Sequence, residues 1–399
     1  MRTVSISSRA ANTPSSAIRK LYIYADQAKR RGIHVHHLNI GQPDIKTPPD
    51  FFKEVRRYAK GAVEYAPSSG YSEVIDAWRY YYETVGIKLS NEDIVVTTGG
   101  SEAILFAMLA VTDPGDEIIA FEPMYTNYIT YGQMAGITIE PVLLRAEEDF
   151  MLTDATRITK KITKKTKAIL VCNPSNPTGT VFSKQELQQI VDIAKKHNLF
   201  IIADEPYREL IFNSVRHVSL MEFTRIKDRV ILVDSVSKRF SICGARIGSI
   251  ACRNKDVMKS VVKFAQGRLS SPTLEQLAVI PLLRNPKKYT KSLISEYKLR
   301  RNVVVEALNT MPGVYCPRPQ GAFYALVTLP VQDAERFAIW LLEKFSYKGE
   351  TVMFAPGNGF YATKGMGKRE IRIAFVLSRP KLKRAMEILR RGLIAYRKK

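Results

Sequence analysis

An α/β fold is predicted for this chain: a large domain with a mostly parallel sheet flanked by helices, joined to a smaller α+β domain. Three observations predict it. Short β-branched runs are apolar on both faces, helical stretches alternate with them, and 399 residues at 45% hydrophobic and 10% aromatic suffice for a sizeable core.

The sheet is read from Ile94–Thr97, Glu117–Phe121, Ala168–Cys172, Phe200–Asp204, Val230–Ser235 and Ile247–Ala251. Strands covered by helices on both sides need such continuous apolar runs. Between them, Ser101–Val111 and Lys184–His197 have helical length and spacing, and Ser183 with Glu186 forms a capping box. This alternation places the large domain over residues 50–285. After Pro286 a charged helix from Tyr289 to Asn309 precedes short strands near Ala322–Thr328 and Glu370–Val376, then a basic helix, Lys381–Lys398. These define a smaller domain over 286–399, joined by the N-terminal segment 1–49.

Several function classes are excluded by composition. No window is long and apolar enough to span a bilayer, and the opening MRTVSISSRAANTPSS lacks the apolar region of a secretory signal. Cys172, Cys243, Cys252 and Cys316 are far apart without CxxC spacing, so they read as reduced, mostly buried thiols of a cytoplasmic protein. The His34, His36 and His37 cluster has no carboxylate or cysteine at ligand spacing and precedes a short strand-like run, so no metal site is expected. The dinucleotide fingerprint and the phosphate-binding loop of nucleotide hydrolases are missing, since Gly365-Met-Gly367-Lys368 has the wrong spacing. The charge is unusual: 61 Lys and Arg against 38 Asp and Glu give +23. Such an excess suits nucleic acid, an anionic surface, acidic ligands, or merely basic solvated faces.

The chemistry concentrates in Ser235-Val-Ser237-Lys238-Arg-Phe-Ser-Ile-Cys-Gly-Ala-Arg246-Ile-Gly248. A lysine directly after a strand, flanked by hydroxyls and followed by an arginine, suits Schiff-base formation with an aldehyde cofactor whose phosphate the hydroxyls and guanidinium hold. Three features accompany it. Asn173-Pro-Ser-Asn176-Pro-Thr-Gly179 is a turn after a strand. Asp204 ends an apolar run, where a carboxylate calls for a cationic partner such as a protonated pyridine nitrogen. Thr98-Gly99-Gly100-Ser101-Glu102 joins a strand to a helix whose free N–H groups make an anion site.

Together these strings resemble the class I aminotransferases, pyridoxal 5′-phosphate enzymes of fold type I. The resemblance continues through Leu38-Asn-Ile-Gly41-Gln-Pro-Asp44, Tyr65-Ala-Pro-Ser-Ser-Gly70, Gly321-Ala-Phe-Tyr324 and Arg372, in the family's order. It implies that Lys238 binds the cofactor as a Schiff base and then shuttles the proton between substrate Cα and cofactor C4′. Asp204 would pair with the pyridinium nitrogen, Tyr207 and Asn176 would hydrogen-bond the ring's phenolate oxygen, and Tyr125 would stack on the ring. Ser235, Ser237, Arg246 and the groups of Gly100, Ser101 and Glu102 would hold the phosphate. Arg372 would take the substrate's α-carboxylate beside Gly41 and Asn176. Tyr65 would reach the phosphate from a neighbouring subunit, which makes a homodimer the implied unit.

Substrate choice is less constrained. One bacterial aspartate aminotransferase subgroup places a lysine after the Gly-Gly turn to receive the second carboxylate, whereas this chain has Ser101. Other aspartate aminotransferases take a distal-carboxylate arginine from about this region of the partner subunit, so the resemblance offers Arg268 as another donor, or as a structural arginine at the implied dimer contact. Over its whole length the chain looks most like bacterial aspartate aminotransferases, implying aspartate plus 2-oxoglutarate as reactants. The alternatives are an aromatic, alanine or broad-range aminotransferase, or a β-lyase or decarboxylating synthase on the same scaffold. A regulator joining such a domain to a DNA-binding module would need more than the roughly forty residues before Gly41, so no nucleic-acid partner is expected.

Overall fold

The structure, a computed structural model, describes residues 4–212 and 215–397. Its strands begin with β1 (His34–His37), β2 (Ile94–Thr97), β3 (Glu117–Glu122) and β4 (Thr138–Leu143). They continue with β5 (Thr166–Cys172), β6 (Phe200–Asp204), β7 (Val230–Ser235) and β8 (Gly248–Cys252). The last are β9 (Tyr324–Thr328), β10 (Glu350–Met353), β11 (Ala355–Pro356) and β12 (Glu370–Ala374).

Seven strands form one sheet in the order β2-β8-β7-β6-β5-β3-β4. Only β8 opposes its neighbours, β2 and β7. The parallel pairs are buried on both faces, which explains their unbroken apolar sequences. One face packs against Trp78, Tyr81 and Tyr82 on the helix Ser72–Thr84, the other against the helices Gly99–Val111 and Lys255–Arg268. A second body of core surrounds the antiparallel sheet β11-β12-β9, drawing Tyr297 and Leu308 from the helix Pro286–Asn309 and Leu389 from Arg379–Arg397. Leu21, Ala25 and Leu38 of the N-terminal segment pack into the same core.

Topology sets the site. Because β5, β6 and β7 are parallel neighbours, their carboxyl ends deliver the Asn176 loop, Asp204 and the Ser235–Lys238 segment to one edge; Cys172 stands beside Asp204 in register. The end of β2 brings Thr98–Ser101 to that edge.

Most elements coincide with those read from sequence, and the differences have physical causes. The helix after β2 starts at Gly99 rather than Ser101, because two glycines conceal its first turn. Strand β4 has no clear signature in the sequence, because Glu140 and Pro141 interrupt its apolar run, which an edge strand tolerates. The three clustered histidines do not precede a strand but form one, β1, paired with β10. Ser183 and Glu186 do make the capping box, with Ser183 N–H donating to Glu186 Oε2 at 2.8 Å. The last helix runs from Arg379 to Arg397, and the expected end at Lys398 lies outside the described residues. Among the described residues no helix is long and apolar enough to cross a membrane.

Candidate active site

A cleft of about 610 Å³ opens at the carboxyl ends of β5, β6 and β7, closed on the far side by Tyr324 of β9 and Arg372 of β12. Its charged lining residues are Arg19, Asp204, Lys238, Arg246 and Arg372.

Lys238 stands on the one-turn helix Val236–Arg239 directly after β7. Ser235 caps this turn, its Oγ accepting from Ser237 N–H at 3.2 Å. The lysine amine donates to the Gly41 carbonyl at 3.0 Å and lies 3.7 Å from Cys243 Sγ. Both ends of the segment are anchored below the cleft. Asp234 and Arg239 form a short buried ion pair, and Arg239 also reaches Glu209 at 3.1 Å. The lysine is thus held by the residues that bracket it.

Asp204 is buried at the cleft floor, where Tyr128 donates its phenolic O–H to Oδ2 at 2.5 Å. Loss of water pushes its carboxyl up to about 7, against the Tyr128 hydrogen bond, with further upward pressure from Asp234 and Glu205. Tyr207 faces Tyr324, hydroxyl to hydroxyl at 3.0 Å, and Tyr125 meets the Tyr128 ring edge-on. Burial raises the pKa of Tyr125 and Tyr207, keeping both protonated at neutral pH.

At one end of the cleft the helix Gly99–Val111 points its first amides inward beside Ser235, Ser237 and Arg246. Ser235 Oγ donates to Ser237 Oγ at 2.8 Å. Arg246 sits in the left-handed region at φ 54°, and its Nη1 and Nη2 donate to the carbonyls of Cys243 and Thr98. A methyl group on Gly99 would come within 2.5 Å of its guanidinium, so that position excludes a side chain. Cationic guanidinium, hydroxyls and helix N–H groups converge as a dianionic phosphate requires.

Arg372 lies at the other end. It is 1% exposed, donates from Nη1 to Asn176 Oδ1 at 2.9 Å and from Nη2 to the Asn39 carbonyl at 2.5 Å, and lies over the Tyr324 ring at 4.5 Å. Burial lowers its pKa from the ordinary arginine value. No carboxylate among the described residues pairs with it, and its Nε has no hydrogen-bond partner. A buried guanidinium without an acid is costly unless a ligand supplies the anion. Gly41 borders this end, where a Cβ would overlap the Tyr324 hydroxyl.

Of the residues singled out in the sequence, Gly41, Gly100, Ser101, Tyr125, Asn176, Asp204, Tyr207, Ser235, Ser237, Lys238, Arg246 and Arg372 line this single cleft. Three do not. Glu102 turns back to its own helix start, accepting from Thr98 N–H at 2.8 Å, and pairs with Arg268 Nε at 3.2 Å. Arg268 Nη2 donates to the Ser68 and Val96 carbonyls. Tyr65 is 79% exposed and away from the cleft of its own chain. Sequence reasoning assigned no role to Arg19, Tyr128, Cys243 or Tyr324. Tyr128 had a readable signal, three residues after Tyr125 at helical spacing; Arg19 had none. His36 pairs with Glu350 at 2.5 Å and is remote from the site. The bulk of the positive charge is also elsewhere: Lys160, Lys161, Lys164, Lys165, Lys167, Lys381 and Lys383 are solvent-exposed.

Residues 33–389 match the model of the family described as aminotransferase class I and II. The chain is 32% identical to an aspartate aminotransferase of Pyrococcus horikoshii over 387 residues, 95% of this chain and 94% of that protein. Among solved structures it is similar to the aspartate aminotransferase from Thermus thermophilus with maleate, at 29% identity and TM-score 0.88, covering 98% of this chain and 100% of that one. It is also similar to an alanine aminotransferase from Pyrococcus furiosus, at 30% identity and TM-score 0.90, with the same coverage.

Proposed function

Because the chain belongs to the class I and II aminotransferases, which depend on pyridoxal phosphate, we propose that it moves the amino group of L-aspartate to 2-oxoglutarate, with Lys238 as the reacting amine. The observation that carries the reading is Arg372: a buried guanidinium without an acid, in one cleft with Lys238. It calls for a carboxylate next to an amine nucleophile.

The donor set fits the cofactor. Asp204, buried without a cation of its own, suits a protonated ring nitrogen, which would restore its ionised form. Arg246, Ser235, Ser237 and the N–H groups of Gly100 and Ser101, which line the cleft, suit the phosphate. Tyr207 and Asn176 suit the ring oxygen, and Tyr125 the ring face. Pyridoxal phosphate, when bound, supplies an electron sink for negative charge at substrate Cα.

The protein's own residues do the rest. Arg372, with two of its nitrogens fixed by Asn176 and Asn39, orients the α-carboxylate so that Cα faces the Lys238 amine. Once substrate has displaced it, the Lys238 amine is placed to take the proton from substrate Cα and would deliver it to cofactor C4′. Tyr324 packs against Gly41 at the Arg372 end of the cleft, leaving room there for substrate but not for a side chain at position 41. The exposed Tyr65 suits donation to a second copy of this chain, so the proposed unit is a homodimer.

Aspartate is favoured by the relatives of that name, whereas the similar alanine aminotransferase supports a broader or alanine-directed enzyme as the second reading. A screen of the pyridoxal form against single amino acids, followed by the loss of its visible absorbance, separates them. Aspartate and glutamate should discharge the cofactor fastest, leaving oxaloacetate and 2-oxoglutarate as products. Equal rates with alanine would favour the second reading, and pyruvate with ammonia would indicate a lyase.

A further inference from the structure

Paired group by group, the charged residues lining the cleft leave one cation over when the substrate carries a single carboxylate. A bound pyridoxal phosphate with such an amino acid presents a phosphate, an α-carboxylate and a protonated ring nitrogen. Arg246 answers the first, Arg372 the second and Asp204 the third, while Lys238 is used as the nucleophile. One charged lining residue, Arg19, is left without a counterpart. It is exposed to the cleft, and no hydrogen bond or ion pair engages its side chain among the described residues. An arginine remains charged throughout the working pH range.

The turn carrying Arg19 is fixed on several sides. Asn39, whose carbonyl accepts from Arg372, donates its side-chain amide to the Ile18 carbonyl at 2.8 Å. Ala17 is buried against Gly359, where any Cβ would lie 2.0 Å from the alanine methyl. Lys20, the neighbouring cation, is drawn away into an ion pair with Glu335 at 2.5 Å, and Asn358 donates to the same carboxylate. The backbone amides of Arg19 and Lys20 both close onto the Ser16 carbonyl. One residue, Asn39, therefore ties the Arg19 turn to the α-carboxylate arginine. Arg268, considered for a second carboxylate as a donor across the subunit interface, is paired with Glu102 at 3.2 Å and does not line the cleft of its own chain.

We infer that Arg19 receives the second carboxylate of a dicarboxylic amino or oxo acid and is the specificity-determining residue of this cleft. The inference rests on the aminotransferase reading above and deepens it, since it supplies the group that distinguishes aspartate and glutamate from alanine. The α-carboxylate end, at Arg372, is common to all substrates; the Arg19 end is not.

The test is calorimetric titration of the holoenzyme with succinate and with butyrate, which share a carbon skeleton and differ by one carboxylate. Arg19→Ala should weaken succinate roughly 10- to 100-fold, the worth of a charge-assisted pair, and move butyrate by less than about threefold. Arg19→Lys should recover part of the loss, and Arg268→Ala should leave the succinate-to-butyrate ratio in place. A parallel loss for both ligands, an unchanged succinate affinity in Arg19→Ala, or loss of the ratio in Arg268→Ala would overturn the inference. An unchanged thermal midpoint of Arg19→Ala guards against misfolding as the cause. Succinate binding needs no turnover. A wild-type protein that bound it through Arg19 yet discharged no amino acid would refute the transaminase reading alone.

Discussion

Asn176 Oδ1 accepts a hydrogen bond from Arg372 Nη1 at 2.9 Å, across 196 positions of sequence and between two separate sheets. Asn176 follows β5 of the seven-stranded sheet; Arg372 is in the middle of β12. The contact fixes the direction in which a buried guanidinium faces the cleft, so the two bodies of core share one binding surface.

Replacing that arginine tests the surface directly. Arg372→Lys keeps the charge and loses the planar fork, so KM for every amino acid should rise roughly 10- to 100-fold. The visible spectrum of bound cofactor should be unchanged. An equal KM in the variant would remove Arg372 from substrate binding.

Lys238→Ala should abolish turnover and leave no cofactor fixed to the protein after borohydride reduction, as read by mass spectrometry. Cofactor fixed at a different lysine in this variant would show that the reacting amine had been misassigned.

Asp204 gives a pH signature in the cofactor-free protein. Its folded pKa of about 7 stands above the ordinary 3.8, so between those values the folded state holds a proton that the unfolded state has lost. Stability therefore falls as pH rises through that window. Asp204→Asn removes this decline: its thermal midpoint should match wild type near pH 4 and exceed it by a few degrees at pH 8. Cofactor affinity should drop in the same variant, because no carboxylate remains for the ring nitrogen. A midpoint difference independent of pH would contradict the assignment.

The ion pair beneath the reactive lysine should matter to both stability and activity. Arg239→Met leaves Asp234 buried with only Arg208 near, at 3.7 Å, and should destabilise the fold by about 3–5 kcal/mol in denaturant unfolding. Because Lys238 lies between the two partners, kcat should fall as well, measured well below the unfolding transition. A loss of stability with unaltered kcat would make the pair purely structural.

Much of the site was legible because its signals are local. The lysine segment, the Gly-Gly turn, the Asn176 turn and Asp204 each end or begin an element, and strand ends can be read from runs of apolar residues. Their chemistry also follows from residue type: an amine after a strand, a carboxylate at the end of an apolar run, amides at a helix start. The elements that escaped are those whose pairing partner is remote. Strand β1 exists because β10 lies beside it, more than three hundred residues later, and β4, at the sheet edge, pairs with one strand, β3, among the described residues.

The sequence by itself determined the alternating elements, a mostly parallel sheet, and the kinds of groups placed at the strand ends. The strand order that gathers three of those ends at one edge belongs to the tertiary structure. Tertiary structure alone decided which of those groups meet. Lys238 reaches the carbonyl of Gly41 across 197 positions, Arg268 turns to Glu102 rather than to the cleft, and Arg19 faces inward while Lys20 is drawn to Glu335. Secondary structure follows from dihedral preference and hydrophobic period within a dozen residues. The direction of a charged side chain follows from which opposite charge or open cleft the folded chain sets beside it, and no local pattern carries that information.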